Sequence, residues 1–486
     1  MGRKRNANPQ QMSIFDEARE RQLTDEQRAF IDFKDRESVI LSAVAGSGKT
    51  FSCVERLKKL KQRGVDPSRI IFFSFTNAAT DELKERIQDD QIKVTTIHSF
   101  CYYILHKAGK WKHITHWFDF VAWYQKEYKP SNYASQAEKD EFSNNINEMY
   151  TNADMVSSKI AAYKLLRADG QNSMFPDFFR EYERFQKETF ARDFSDMLIE
   201  VHELFKEDKW LKMFKGKYDY IFIDEFQDTS SLQLSVLLAL NAKYYYLIGD
   251  VFQSIYAFSG SNPKKLINML AERRKVKEMT LTINFRSDIA IVENSNSYSE
   301  LVAKPNSPLP GEVDYTIRTS IDELITIIES STQCAVLVRT NNVIRQLEQR
   351  MLQLRYPMKY QNYFSQKDID DIKAKNINRI LQRKLHSMED YYDSPEELVA
   401  FIKINENSPH FITTIHKSKG LEFDTVVVVN SCAPEILLDN GYVLPPKEAK
   451  KVSFKYDSED REAQNIHYVA VTRPKHRLFY MLWGRV

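Results

Sequence analysis

Ala43-Val44-Ala45-Gly46-Ser47-Gly48-Lys49-Thr50 stands between an apolar run, Ser38–Ala43, and a helical pattern from Lys49 to about Gln62. A glycine loop between a strand and a helix is the context that a phosphate-binding loop requires. Gly46 and Gly48 let the backbone curl, so that the N–H groups of Ala45 to Thr50 can point inward at phosphate oxygens. The N-terminus of the following helix adds a favourable dipole. Lys49 would set a positive charge on the β- and γ-phosphates of ATP, and Thr50 would hold Mg²⁺. The strict pattern opens on Gly, where this chain has Ala43. The plain alternative, a chance glycine turn, does not account for the strand and helix on either side.

The second half of an ATPase site is an acid at the C-terminal end of a strand. Tyr218–Ile223 is such a run, and it leads into Asp224-Glu225-Phe226-Gln227-Asp228. Asp224 would take the Mg²⁺, and Glu225 would orient or deprotonate the attacking water. Two adjacent acids after a strand are weak alone, since a solvated turn looks the same. Beside the loop at 43–50 they become a site.

Further buried-strand runs fall at Ile70–Phe75, Tyr244–Ile248, Ala335–Val338 and Thr425–Val429. Short β-branched runs separated by helical stretches predict α/β layers with parallel sheets. Between Tyr102 and Glu200 helical periodicity replaces them. Trp117, Phe120, Val121 and Tyr124 share one helix face, which predicts a helical insert with its own core rather than a base-stacking platform. A second helical, charged stretch runs from about Gln366 to Asn407.

The 486 residues suggest about three domains. Apolar residues are 42% and charged residues 28%, the balance of a globular chain and not of a disordered one. No run of about 18 apolar residues predicts a membrane span, and Met1–Gln10 has no apolar run behind it to make a secretory signal. Net charge is +2, so a nucleic-acid partner has to be argued from local surface. Cys53, Cys101, Cys334 and Cys432 are far apart and form no CxxC pair, which predicts free thiols in a reducing cytoplasm rather than a metal centre.

Together, the loop and Asp224–Asp228 resemble the UvrD/Rep/PcrA helicases of superfamily 1, and seven further signatures fall into order around them. Leu23-Thr24-Asp25-Glu26-Gln27 resembles the adenine-reading motif. Phe75-Thr76-Asn77-Ala78-Ala79 and Thr96-Ile97-His98-Ser99-Phe100 resemble the strand-contact motifs of the first core. Gly249-Asp250-Val251-Phe252-Gln253-Ser254-Ile255-Tyr256 resembles the motif that couples ATP to DNA, and Asn284-Phe285-Arg286-Ser287 the arginine motif opening the second core. Thr414–Phe423 and Tyr468–Arg473 resemble the last two.

The resemblance implies roles residue by residue. Gln27 would read the adenine edge and Phe285 would stack on the ring. Gln253 would sense the γ-phosphate, and Arg286 and Arg473 would answer its charge, as planar guanidinium groups suit it. Gly420 and Glu422 would close the nucleotide pocket. Phe75, Thr76, Asn77, His98, Phe100, Tyr256, Phe258 and His416 would contact DNA, with stacking worth ~1–3 kcal/mol per base; for Phe100, core packing is the competing reading. The chain departs from the family at Phe258 (usually Trp), Ser259 (usually Arg), Phe285 (usually Tyr) and Gln464-Asn465 (usually two Arg).

The implied architecture is two RecA-like parallel-sheet cores with ATP between them. Residues 22–103 and 195–275 would form the first core, 104–194 its helical insert, 276–365 and 408–486 the second core, and 366–407 a reduced second insert. The chain stops 13 residues after Arg473, so the usual tail and an appended nuclease domain are not expected. The implied activity is ATP-dependent 3′ to 5′ movement on single-stranded DNA and at single-/double-strand junctions, in replication, repair or recombination, in the cytoplasm on the nucleoid or on replicating DNA. The rival readings are a motor subunit of a helicase–nuclease complex and a DNA-binding scaffold without turnover. In the polar tail, residues 1–21, Gln11-Met12-Ser13-Ile14-Phe15 resembles the peptides that dock on bacterial sliding clamps. Gln11, Met12, Ile14 and Phe15 would supply the edge hydrogen bond and the apolar anchors; a helix staple on the first core is the alternative.

Overall fold

The computed structural model describes residues 23–151, 153–168, 170, 178–255, 262–360, 362–377, 379–429 and 458–483. The tail at 1–21 with Gln11, Met12, Ile14 and Phe15, the residues Tyr256, Phe258 and Ser259, and Cys432 lie outside them. The described residues fall into two compact units. One holds residues up to Ala43 and Gly48–Leu281; the other holds Val44–Ser47 and the chain from Thr282.

In the first unit β1 (Ser38–Ala43), β2 (Ile70–Ser74) and β3 (Lys93–Thr96) precede a two-stranded ribbon, β4 (His113–Ile114) with β5 (Ala191–Arg192). Strands β6 (Tyr220–Asp224), β7 (Tyr244–Gly249) and β8 (Val276–Leu281) follow, and the sheet runs β3-β2-β6-β7-β1-β8, all parallel. Successive side chains point to opposite faces of a strand, and both faces of this sheet are covered. Ile71, Phe73, Ile221, Ile223, Tyr245 and Leu247 enter one core; Phe72, Phe222, Tyr246 and Ile248 enter the other. Phe72, Phe222 and Tyr246 stand in register on β2, β6 and β7 and stack at 5.5 and 4.4 Å. A sheet buried on both sides explains why its inner strands read as unbroken apolar runs.

The architecture implied by the resemblance assigns residues 276–281 to the second core, but Val276–Leu281 pairs along the whole of β1 in the first sheet. The reason is position. An edge strand exposes Lys277, Glu278 and Thr280 and so carries no apolar run to mark it.

Between β4 and β5, helices at Trp117–Glu127, Gln136–Thr151, Ala153–Ala168 and Phe179–Glu188 build a separate core around Trp117, Phe120, Val121, Met149 and Phe185. Trp111 stays exposed against His106. A buried ammonium, Lys164, ties this bundle to the helix Phe194–Leu204 through Asp193 and Asp196, both at 2.8 Å.

In the second unit a short pair, β9 (Ile283–Asn284) and β10 (Lys304–Pro305), precedes β11 (Glu312–Arg318), β12 (Cys334–Val338), β13 (Phe411–Thr414), β14 (Phe423–Val429) and β15 (Pro474–Met481). The five longer strands form a second parallel sheet, β11-β15-β14-β12-β13. The α/β class with two parallel-sheet cores is therefore what the chain builds. Helices Gln366–Lys373, Arg379–His386 and Pro395–Ile404 place Ile369, Ile372, Leu385, Leu398 and Ile402 in the same core as Val336, Ile412 and Val427. They extend that core rather than form one of their own.

Cys53, Cys101 and Cys334 are buried free thiols, and burial pushes Cys101 and Cys334 up to about 12. In the helix Ser458–Val471, His467 packs edge-on to Tyr298 and face-on to Tyr480. Burial lowers its pKa to about 4. In the unfolded chain a histidine titrates near 6.5. The stability this residue contributes is thus present above pH ~6.5 and lost as pH falls from there toward 4. Melting temperature should drop between pH 7 and 5, and His467→Phe, which keeps the ring packing, should flatten that slope. Equal slopes in the two proteins would refute the assignment.

Candidate nucleotide and nucleic-acid sites

The phosphate-loop helix, Lys49–Gln62, begins where β1 ends. Gly46 and Gly48 take φ of +71° and +76°, the left-handed conformation that glycine adopts without strain. Gly48 occupies the N-cap and offers no side chain to the helix, so the first-turn N–H groups are left for a ligand. No acidic residue lies in that turn.

Lys49 Nζ pairs with Glu225 Oε1 at 3.0 Å. Burial pulls the ammonium's pKa down, but Glu225, Asp224 and Asp250 together hold it above the ordinary lysine value. Asp224 ends β6, and its Oδ1 accepts the Glu225 N–H at 3.0 Å. Glu225 itself sits at φ +52°, a left-handed turn that costs a non-glycine residue and redirects the chain at the carboxylate pair. From there hydrogen bonds run inward. Gln227 Nε2 donates to Glu225 Oε2 at 2.5 Å, Gln227 Oε1 accepts from the Asp250 N–H at 3.1 Å, and Gln253 Nε2 donates to Asp250 Oδ2 at 2.8 Å. Lys49, Asp224, Glu225 and Gln253 are thus brought together at the C-terminal ends of β1, β6 and β7. Thr50 follows Lys49, half-buried. Glycines in the left-handed region, an uncapped helix start, a lysine and a hydroxyl beside two carboxylates are a donor set that fits Mg²⁺–ATP.

Gln27 is buried, and its Oε1 already accepts the Thr24 N–H at 3.1 Å in a capping box. Its Nε2 lies 3.2 Å from where a Cβ on Gly48 would stand. The amide therefore adjoins the loop while fixing the start of its own helix.

On the candidate DNA side, Phe75 is 42% exposed and Thr76 caps the helix Asn77–Ile87 through the Ala79 N–H. Asn77 is exposed. His98 is half-buried edge-on to Phe194 at 5.2 Å, and burial lowers its pKa to about 4, so it is neutral at pH 7. A small cavity of about 70 Å³ is lined by Phe75, His98 and Asp224, among others. Phe100 is a correction. It is 1% exposed, packed edge-on to Phe73, Phe214 and Tyr218, and no base can reach it. In the helix Ile97–Lys107 it occupies the inward face three residues past Ile97.

In the second unit, Asn284 Nδ2 donates to the Ala45 carbonyl at 2.9 Å, its Oδ1 accepts from the Arg286 and Ser287 N–H groups, and the Phe285 N–H donates to the Gly46 carbonyl. Asn284 lies in the motif Asn284–Ser287, where its task is not legible, because a buried asparagine anchoring Ala45 through its side chain leaves no pattern of its own. Ala45 and Ser47 are buried, and Phe285 is 43% exposed. Arg286 Nε bonds Glu422 Oε2 at 2.9 Å and Nη1 the Thr472 carbonyl at 3.1 Å. Lys475 reaches the other Glu422 oxygen at 3.1 Å. Burial raises the Glu422 carboxyl, but Arg286 and Lys475 outweigh it and hold its pKa below the usual range. Arg473 is 2% exposed, donating to the carbonyls of Val469 and Leu421. Gly420 takes φ +82° with open space about it, and His416 is half-buried.

A family model described as the UvrD/REP helicase N-terminal domain matches residues 23–274, and one described as the UvrD-like helicase C-terminal domain matches residues 374–483. The chain belongs to the UvrD/REP helicase family. Within that family, "ATP-dependent DNA helicase PcrA" of Staphylococcus aureus is 27% identical over 381 residues, 69% of this chain and 50% of its own length. A "Probable DNA helicase II homolog" of Mycoplasma capricolum is 30% identical over 297 residues, 57% of this chain and 40% of its own. A "Probable DNA helicase" of Mycoplasma pneumoniae is 26% identical over 491 residues, 94% of this chain and 82% of its own. The chain thus spans about half or less of the first two relatives. Among the described residues no helix is long and apolar enough to cross a membrane.

A Cβ on Gly46 would lie 2.6 Å from Arg286 Cβ and 3.0 Å from Asn284 Oδ1, in a left-handed backbone. Gly46→Ala should destabilise by at least ~1–2 kcal/mol and weaken binding of a fluorescent ATP analogue. Unchanged melting temperature and affinity would contradict the strain argued here.

Proposed function

We propose that this chain is an ATP-driven DNA helicase or translocase that moves 3′ to 5′ on single-stranded DNA, loads at single-/double-strand junctions and serves replication, repair or recombination. The observation that carries the reading is the ion pair of Lys49 with Glu225, beside Asp224, at the C-terminal edge of a parallel sheet. An inert scaffold has no reason to keep a half-buried lysine among three carboxylates. Membership of the family and the named activity of PcrA support ATP and DNA as substrates.

In this reading Lys49 and the loop 45–50 bind the phosphates, and Thr50 and Asp224 hold Mg²⁺, which neutralises phosphate charge when bound. Glu225 orients water and accepts its proton. Gln253 senses the terminal phosphate, Arg286 and Arg473 counter its charge, and Gln27, Phe285, Gly420 and Glu422 hold the nucleoside. Phe75, Thr76, Asn77, His98 and His416 track the strand, with Tyr256 and Phe258 added on the resemblance alone. Residues 11–15 tether the enzyme to a sliding clamp, and its place of work is DNA in the cytoplasm.

Lys49→Ala should abolish ATP turnover, by ~100-fold or more, while single-strand binding stays measurable by fluorescence anisotropy. Glu225→Gln should retain bound ATP and stop hydrolysis, since Asp224 is untouched. Wild-type turnover in either protein would sink the site. Polarity is tested on duplexes with a 3′ or a 5′ tail, where only the 3′-tailed substrate should be opened. The tether is tested by deleting residues 1–18. Clamp capture should be lost and turnover on free DNA kept; retained capture would defeat the tether alone.

A further inference from the structure

Gln227 is wholly buried, 0% exposed, in the short turn Phe226–Asp228 that follows β6. Its amide works in both directions. Nε2 donates to Glu225 Oε2 at 2.5 Å, and Oε1 accepts from the Asp250 N–H at 3.1 Å. Its own carbonyl accepts from Ser254 Oγ at 3.1 Å. A neutral amide carries a donor and an acceptor on one carbon, which neither a carboxylate nor an ammonium does.

Gly249 gives a second, independent sign that this side chain is placed for a purpose. A Cβ at Gly249 would lie 2.0 Å from Gln227 Oε1 and 2.9 Å from the Phe226 ring. The end of β7 is bare backbone at the point where the amide passes. The two oxygens of Glu225 consequently have different keepers, Lys49 on Oε1 and Gln227 on Oε2.

We infer that Gln227 is a positioning residue for ATP hydrolysis. It fixes the Glu225 carboxylate by Oε2 and joins it to Asp250, which caps the turn Val251–Gln253, so that Oε1 stays aimed when Lys49 leaves it for a phosphate. Without the amide, Glu225 keeps its charge but loses its orientation once Lys49 has moved. The inference rests on the ATP-hydrolysing role of Glu225 proposed above, and goes beyond it by giving Gln227 a task in the chemical step.

The test compares wild type, Gln227→Met, Glu225→Gln and the double variant in DNA-stimulated ATP turnover, with melting temperatures and affinities for a fluorescent ATP analogue. Methionine fills the same space without hydrogen bonds. The expected result is a kcat lower by up to about 100-fold, the scale of a misplaced catalytic group, with KM for ATP and nucleotide affinity within about twofold. In single-turnover measurements the loss should vanish in the Glu225→Gln background, because Gln227 acts through that carboxylate. Gly249→Ala, which pushes the amide aside, should show the same kcat–KM split. Turnover by Gln227→Met at the wild-type rate would overturn the inference and leave the helicase reading standing. So would a loss that persists in full on Glu225→Gln, or a fall in KM-matched activity that only follows a lower melting temperature. A wild-type protein that shows no DNA-stimulated turnover would overturn both.

Discussion

A half-buried ammonium has to be answered by negative charge, and the first unit is organised around that requirement at Lys49. Desolvation pulls the lysine's pKa down, and three carboxylates more than restore it. Each of them ends a strand or begins the turn after one. Asp224 ends β6, Glu225 follows it, and Asp250 follows β7. A parallel sheet brings all its strand C-termini to one edge, so residues far apart in sequence converge there without any special loop. Among the details that follow from it are the left-handed backbone at Glu225, the bare glycine at 249 and the buried amide between them.

The same helix is held a second time, two turns further on. Arg56 is wholly buried, pairs with Asp35, and donates to the Ile31 carbonyl at 2.8 Å and to Tyr246 Oη at 2.9 Å. Tyr244 and Tyr220 add hydrogen bonds to Asp35 from the neighbouring strands. Asp35 precedes β1, and Tyr220 and Tyr244 open β6 and β7, so this cluster closes the N-terminal ends of the strands whose C-terminal ends carry the carboxylates. Fixing the helix Lys49–Gln62 by cations at two heights restrains it from sliding along the sheet. Removing one partner of such a buried pair costs several kcal/mol, typically 3–5, so the knot is structural rather than optional.

What the sequence announced and what it concealed divide along physical lines. Ser38–Ala43, Lys49–Gln62 and Cys334–Val338 were legible because buried inner strands and a glycine-led helix leave strong local patterns. Val276–Leu281 was not, because an edge strand answers to one neighbour and to water. Phe100 misled for a related reason: a motif residue at a helix start can face the core or the solvent, and only the helix's rotation against Phe73 and Tyr218 decides. Gln227 and Asn284 stood in plain view within quoted motifs. Their tasks are hydrogen bonds to partners 23 and 239 residues away, and no window on the sequence contains such a pair.

The cations assigned to phosphate share one arrangement. Lys49 rests on Glu225 within the first unit, Arg286 rests on Glu422 within the second, and Arg473 is satisfied by carbonyls of its own unit. None of the three is left bare. For the two carboxylate pairs this has an energetic consequence. A phosphate that takes Lys49 or Arg286 replaces one anion by another, so the cation pays no fresh desolvation, and the released carboxylate becomes available in the same motion. If Glu225 is the base, as proposed above, the arrival of the phosphate charge is tied to the freeing of that base.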